Sequence, residues 1–177
     1  MELTLQQFDA LAAKCREIFV KKTHDYGTSW RILRPSSLTD QLYIKAWRIR
    51  SIEEKGVQQV SDSIADEFIG LINYSIIALI QNELPENTPL ELPLEAVTRL
   101  YDEQLAETRR LLQQKNHDYG EIWRELRISS MTDLILSKLL RIRQIEDNSG
   151  QTIASEGVDA NYRDIINYAI FALIKLS

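Results

Sequence analysis

The sequence predicts an all-α fold of six main helices, arranged as two three-helix repeats packed about a pseudo-twofold axis. Three observations carry this. Apolar residues recur at helical spacing, and no stretch alternates with period two. From Lys22 to Glu53, 19 of 32 residues are identical to those 93 positions further on, which marks an internal duplication. A segment with three prolines, Leu84 to Pro93, separates the copies as an extended linker. The repeats are assigned to residues 1–84 and 93–177, with the linker at 85–92.

Thr4-Leu5-Gln6-Gln7 has the form of a capping box opening the first helix. Phe8, Leu11, Ala12, Cys15, Ile18 and Phe19 form its apolar stripe, and Gly27 supplies the stop. A loop then carries Trp30 and Arg34-Pro35. Ser37, Thr39 and Asp40 offer caps for a second helix that ends near Gly56, striped by Leu38, Leu42, Ile49 and Ile52. Ser61-Asp62 is the expected cap of a third helix reaching about Asn82. The stretch Leu71 to Ile80 is apolar nearly all round, so this helix belongs at the centre. Pro93 fits the first position of the fourth helix, striped by Val97, Tyr101, Leu105, Thr108 and Leu112. The fifth is expected at about 132–148 and the sixth from near Ser155 to the end.

At 177 residues, 44% hydrophobic and 27% charged, the composition is that of a soluble globular protein. A net charge of −5 disfavours sequence-independent binding to nucleic acid, which needs a basic face. Met1-Glu2-Leu3-Thr4 lacks the form of a signal peptide, and the apolar run around Leu71–Ile80 is too short for a bilayer span. A cytoplasmic protein without a membrane partner is therefore expected. Pairing of two chains into a homodimer stays open. The lone Cys15 is read as a small core residue.

The duplicated identities are mostly polar, which points to a shared site or to shared capping chemistry. A recent duplication would leave the same mark. Lys45 and Lys138 interrupt equivalent apolar stripes, each with an arginine three residues on, Arg48 and Arg141. Such a pair suits phosphate, the arginine as a fork. A salt bridge to Asp66 or Asp164 accounts for the basic residues equally well. Tyr26 and Trp30, with Tyr119 and Trp123, offer faces for a nucleobase, or else plug the helix–loop corner. Lys22 and Lys115 open the duplicated motif, and His24-Asp25 and His117-Asp118 within it are the candidate general-base pairs. On the third helix of each repeat one face carries Asp62, Asp66, Gly70 and Asn73, and in the second copy Glu156, Ala160, Asp164 and Asn167. Carboxylates stacked this way suit Mg²⁺ or Mn²⁺. Each copy lacks a different carboxylate, so a pooled site across the axis and two separate half-sites are both expected arrangements.

The order Lys-x-x-Asp-Tyr-Gly-x-x-Trp, then Lys-x-x-Arg-Ile, then a helix ending in Asp-x-x-Asn-Tyr resembles the nucleotide modification-associated domain 1 family. It is similar in outline to the MazG-like and dimeric dUTPase group of all-α nucleotide pyrophosphatases. The resemblance covers about 14–79 and 108–173. It implies a third-helix pattern Glu-Ser-x-x-Asp-x-x-x-Asp-x-x-Asn-Tyr. That pattern marks Asp62, Ser63, Asp66, Asn73 and Tyr74, with Gly70 departing. In the second copy it marks Glu156, Asp164, Asn167 and Tyr168, with Gly157 and Ala160 departing. MazG-like enzymes add a Glu-Glu-x-x-Glu cluster, where this chain has Lys45 and Arg48. The implied activity is Mg²⁺-dependent hydrolysis of a (deoxy)nucleotide phosphate, a small-molecule substrate. The alternative is a non-catalytic nucleotide-binding or scaffold protein with a degenerate metal site. Lys138→Met is expected, on this reading, to weaken phosphate binding and leave the fold intact.

Overall fold

A computed structural model describes residues 2–56 and 63–177, and of Tyr119 the backbone. The fold is all-α, with six long helices among the described residues: α1 (Glu2–Tyr26), α2 (Pro35–Lys55), α3 (Ile64–Glu83), α4 (Leu94–Tyr119), α5 (Ile128–Asp147) and α6 (Val158–Leu176). A short 3₁₀ turn follows α1 at Ser29–Ile32 and another follows α4 at Ile122–Glu125, each burying its tryptophan. The element order thus repeats.

Contacts between the halves are reciprocal under the 93-residue shift. Arg16 binds Asp102 at 2.7 Å, and Arg109 binds Asp9 at 2.7 Å. The Thr39 hydroxyl donates to Glu146 at 2.8 Å, and that of Thr132 donates to Glu53 at 3.2 Å. In each set, one residue of the first copy meets the counterpart of its own partner, which is the signature of a twofold interface. α3 and α6 pack together at the centre, and α2 and α5 pack beside them. One continuous core runs through both halves, including Phe8, Leu42, Ile72, Tyr101, Ile135 and Ile170. The long helices α1 and α4 lace the repeats together. Thr4 on α1 donates to Glu121 of the second half, and Tyr101 on α4 donates to Asn73 of the first at 2.7 Å. Neither repeat therefore closes its own core.

α3 is apolar because it is surrounded by protein. It is long and apolar enough to cross a membrane by length and composition, but it packs against α1, α2, α4 and α6. Cys15 is fully buried in the core, and that burial pushes its thiol up to about 12.

Several helix starts differ from the sequence expectation. α1 begins at Glu2, so Thr4 is not its cap but a buried group bonded to Glu121. α2 begins at Pro35, where a missing N–H costs nothing. Thr39 is thereby released from capping to serve the interface. The cap of α3 is Ser63, in a capping box with Asp66, whereas residues 61 and 62 lie outside the described residues. α5 starts four residues before the expected 132, and α6 starts at Val158 rather than near Ser155. The linker is docked rather than free. Thr28 Oγ1 donates to Leu90 O at 2.7 Å, and Arg31 Nη2 donates to Thr88 O at 2.8 Å. Gly27 has φ 63°, a left-handed backbone that favours glycine, and a Cβ there would displace the Glu91 carboxylate.

Glu53 and Glu146 lie half-buried at the reciprocal α2–α5 contact. Burial raises both carboxyls above their ordinary value, and the threonine hydroxyls only partly offset it. The folded state thus holds these protons more tightly than the unfolded chain, so the pair penalises folding above its raised pKa values. Relief comes as pH falls through them. Glu53→Gln combined with Glu146→Gln is expected to raise the thermal midpoint at pH 7 and to shrink the wild-type gain on acidification to pH 5. Melting curves at the two pH values check this.

Candidate functional site

The first half holds a cleft of about 640 Å³, walled by α1, the Trp30 turn, α2 and α3. That volume suits a small ligand. Lys22, Tyr26, Trp30, Lys45, Asp66 and Asn73 line it, so six of the sequence-predicted residues converge. Each arrives for a local reason. Lys22 and Tyr26 lie four apart on the last turns of α1. Trp30 is pinned by the 3₁₀ turn. Lys45 projects from the middle of the α2 stripe, opposite Gly70 on α3.

The electrostatics of the cleft are mixed. Lys45 Nζ sits 5.2 Å from the centre of the Tyr74 ring, a cation–π contact. Arg48 pairs with Glu67 at 2.7 Å, and not with Asp66. Asp66 faces the cleft edge, where its Oδ2 accepts from Ser63 N at 3.2 Å. Trp30 is only 8% exposed, and its indole N–H has no hydrogen-bond partner among the described residues. Asn73 holds the wall in place. Its amide donates to Cys15 O at 3.1 Å and its oxygen accepts from Tyr101. It therefore ties α3 to α1 and α4, a structural role.

The second half arranges the same residue types differently. Asp164 bridges two lysines, Lys115 at 2.9 Å and Lys138 at 3.0 Å. Burial disfavours the Lys115 ammonium most strongly of the single effects, but the hydrogen bond to Asp164 together with the charges of Asp164 and Glu156 outweighs it, and its pKa is raised. Trp123 stacks on Phe171 with ring centres 4.4 Å apart and planes within 8°. The Arg124 guanidinium lies over the Trp123 indole at 4.3 Å. Trp123 is thus a corner plug. Asn167 is buried, and its side-chain oxygen has no hydrogen-bond partner among the described residues. Glu156 and Arg141 are exposed and border, with Lys138, a separate open groove beside the 148–156 loop.

Other candidates do not join the cleft. The His24-Asp25 and His117-Asp118 pairs are exposed at the ends of α1 and α4, with His Nδ1 to Asp Oδ1 distances of 3.5 and 3.3 Å. None of the four is among the residues that line the cleft. Of the proposed metal ligands, Asp62 lies outside the described residues. The others sort by half. Among the described residues, the first-half cleft is lined by first-half residues alone, and Asp164 is ion-paired with Lys115 and Lys138 of its own half. Among the described residues, no three His, Cys, Asp or Glu side chains converge as a metal cage. The fit to Mg²⁺ differs between halves. Two ammonium groups on Asp164 compete directly with a cation, whereas Asp66 and Glu67 line the first-half cleft as adjacent carboxylates.

Glu67 and Ile77 also line this cleft and escaped the sequence reading. Their signal lies in the comparison of copies, since the equivalents 94 positions on are Asn161 and Phe171.

The molecule is thus a tandem all-α repeat whose first half holds an aromatic-lined cleft with two lysines and two carboxylates on its walls. The family model described as nucleotide modification associated domain 1 matches residues 22–82 and again 115–176, together well over half of the chain. The chain belongs to this family, as two copies in tandem. No curated protein and no solved structure matches it.

Proposed function

We propose that the chain binds a (deoxy)nucleotide phosphate in the first-half cleft. The observation that carries this reading is the convergence of Lys22 and Lys45 with Tyr26, Trp30 and Tyr74 around about 640 Å³. The ammonium groups serve phosphate oxygens, and the aromatic side chains serve a nucleobase. Membership of a family named for nucleotide modification supports the ligand class. Binding without catalysis accords best with the described residues, because no described acid–base pair faces the cleft apart from ion-paired or capping groups.

One observation favours a second reading, Mg²⁺- or Mn²⁺-dependent hydrolysis in the MazG-like manner. Asp66 and Glu67 border the same cleft, and Mg²⁺ needs only one or two carboxylates beside water and substrate phosphate. These two residues would hold the ion, which when bound supplies charge neutralisation and an activated water. Arg48 would then hand Glu67 over to the metal and turn to the phosphate.

A thermal-shift panel of nucleotides and nucleosides, with and without Mg²⁺, tests both. A ligand that binds only the folded state raises the midpoint by mass action. Binding predicts a rise with one or more phosphorylated nucleotides, without a need for metal. Hydrolysis predicts a Mg²⁺-dependent rise together with release of phosphate or pyrophosphate. A panel with no shift for any nucleotide sinks both.

A further inference from the structure

The two halves solve one charge problem in opposite ways. In the second half, the Asp164 carboxylate sits between Lys115 and Lys138, one oxygen to each, at 2.9 and 3.0 Å. Three helices meet at this anion. In the first half the equivalent lysines are Lys22 and Lys45, both lining the cleft, and the residue equivalent to Asp164 is Gly70. Among the described residues, no carboxylate is ion-paired with Lys22 or Lys45.

The Lys45 side chain lies in the space that a side chain on Gly70 would take, and its flexible end would shift by a few tenths of an ångström to admit one. A Cβ on Gly70 would stand 3.1 Å from Lys45 Cδ, 3.2 Å from Cε and 3.3 Å from Nζ. The carboxylates facing the cleft do not fill the role of Asp164. Glu67 is held by Arg48, and Asp66 caps the start of α3. A second difference acts in the same direction. Phe171 covers Trp123 in the second half, and its equivalent Ile77 is smaller and lines the first-half cleft.

We infer that Gly70 opens an anion subsite between Lys22 and Lys45, and that a phosphate group of the ligand takes the place held by the Asp164 carboxylate in the second half. The second half is then a permanently filled copy, its lysines neutralised by Asp164 and its tryptophan covered by Phe171. The chain binds one ligand rather than two. The identity of the ligand as a nucleotide rests on the reading above, but the subsite requires only the phosphate.

The test is calorimetric titration of the full chain with inorganic pyrophosphate, with the nucleotide giving the largest thermal shift, and with its nucleoside. Wild type is expected to bind one equivalent of pyrophosphate and of nucleotide. Gly70→Asp supplies the missing carboxylate. It is expected to weaken both phosphorylated probes at least tenfold, to leave the nucleoside unchanged and to raise the thermal midpoint. Gly70→Asn adds the same bulk without charge and is expected to give no such rise. Asp164→Gly is expected to add a second equivalent of pyrophosphate. Binding of pyrophosphate that survives Gly70→Asp, or two equivalents in wild type, overturns the subsite. If nucleotide and nucleoside bind alike and Gly70→Asp changes neither, the subsite fails while nucleotide binding stands. If pyrophosphate alone binds and Gly70→Asp abolishes it, the subsite stands and the nucleotide reading fails. Wild type that binds none of the three probes overturns both.

Discussion

Lys138→Met is expected to lower stability by about 2–3 kcal/mol, and the thermal midpoint by roughly 5–10 °C, with ligand affinity unchanged. The lysine is 17% exposed and its partner Asp164 16% exposed, so the pair is largely withdrawn from water. Removing one member leaves the other charge partly buried and short of a partner. Lys115 still binds Asp164, which keeps the loss below that of a fully orphaned carboxylate. The sequence left two roles open for this lysine, a phosphate contact and a salt bridge to Asp164, and the loss of affinity expected for Lys138→Met followed the first. Asp164 changes that role. Thermal melts beside ligand titration decide it, and a variant that melts like wild type would contradict the ion-pair assignment.

The same substitution in the first copy, Lys45→Met, is expected to do the reverse. Affinity for a nucleotide phosphate should fall ten- to a hundredfold, as loss of a charge-assisted contact of about 1.5–3 kcal/mol implies. Stability should change by no more than about 1 kcal/mol, since the one described contact of the ammonium is with the Tyr74 ring. Titration and melting of this variant beside Lys138→Met give a direct contrast between equivalent positions. Equal losses of affinity in the two variants would show that both halves bind ligand.

Much of the fold was legible in the sequence. The 93-residue repeat and the helical apolar spacing give six helices, and the apolar character of Leu71–Ile80 places α3 in the core. Helix starts were less legible, because a threonine serves as cap or as interface donor with the same hydroxyl. Thr4 and Thr39 both took the second role, for partners over a hundred positions away that no local pattern reveals. The cleft was half legible. Lys22, Lys45, Tyr26 and Trp30 stood out because they recur. Recurrence also drew in Lys115, Lys138 and Trp123, which the second half uses for its own packing. What separates the copies is the small set of positions where they differ, Gly70 against Asp164 and Ile77 against Phe171. A motif search that rewards identity passes over such positions. The His-Asp pairs recur as well, and both copies lie exposed at helix ends outside the cleft lining.

Ligand is expected to enter the first half alone. The chain has three tryptophans, Trp30, Trp47 and Trp123, and the first and last mark the two equivalent corners. Indole N–H signals in a ¹⁵N-correlated NMR spectrum, assigned by single Trp→Phe variants, report on each corner separately during nucleotide titration. The Trp30 signal is expected to move and saturate at one equivalent while the Trp123 signal stays in place. A shift of Trp123 equal to that of Trp30, or of Trp123 alone, would contradict it.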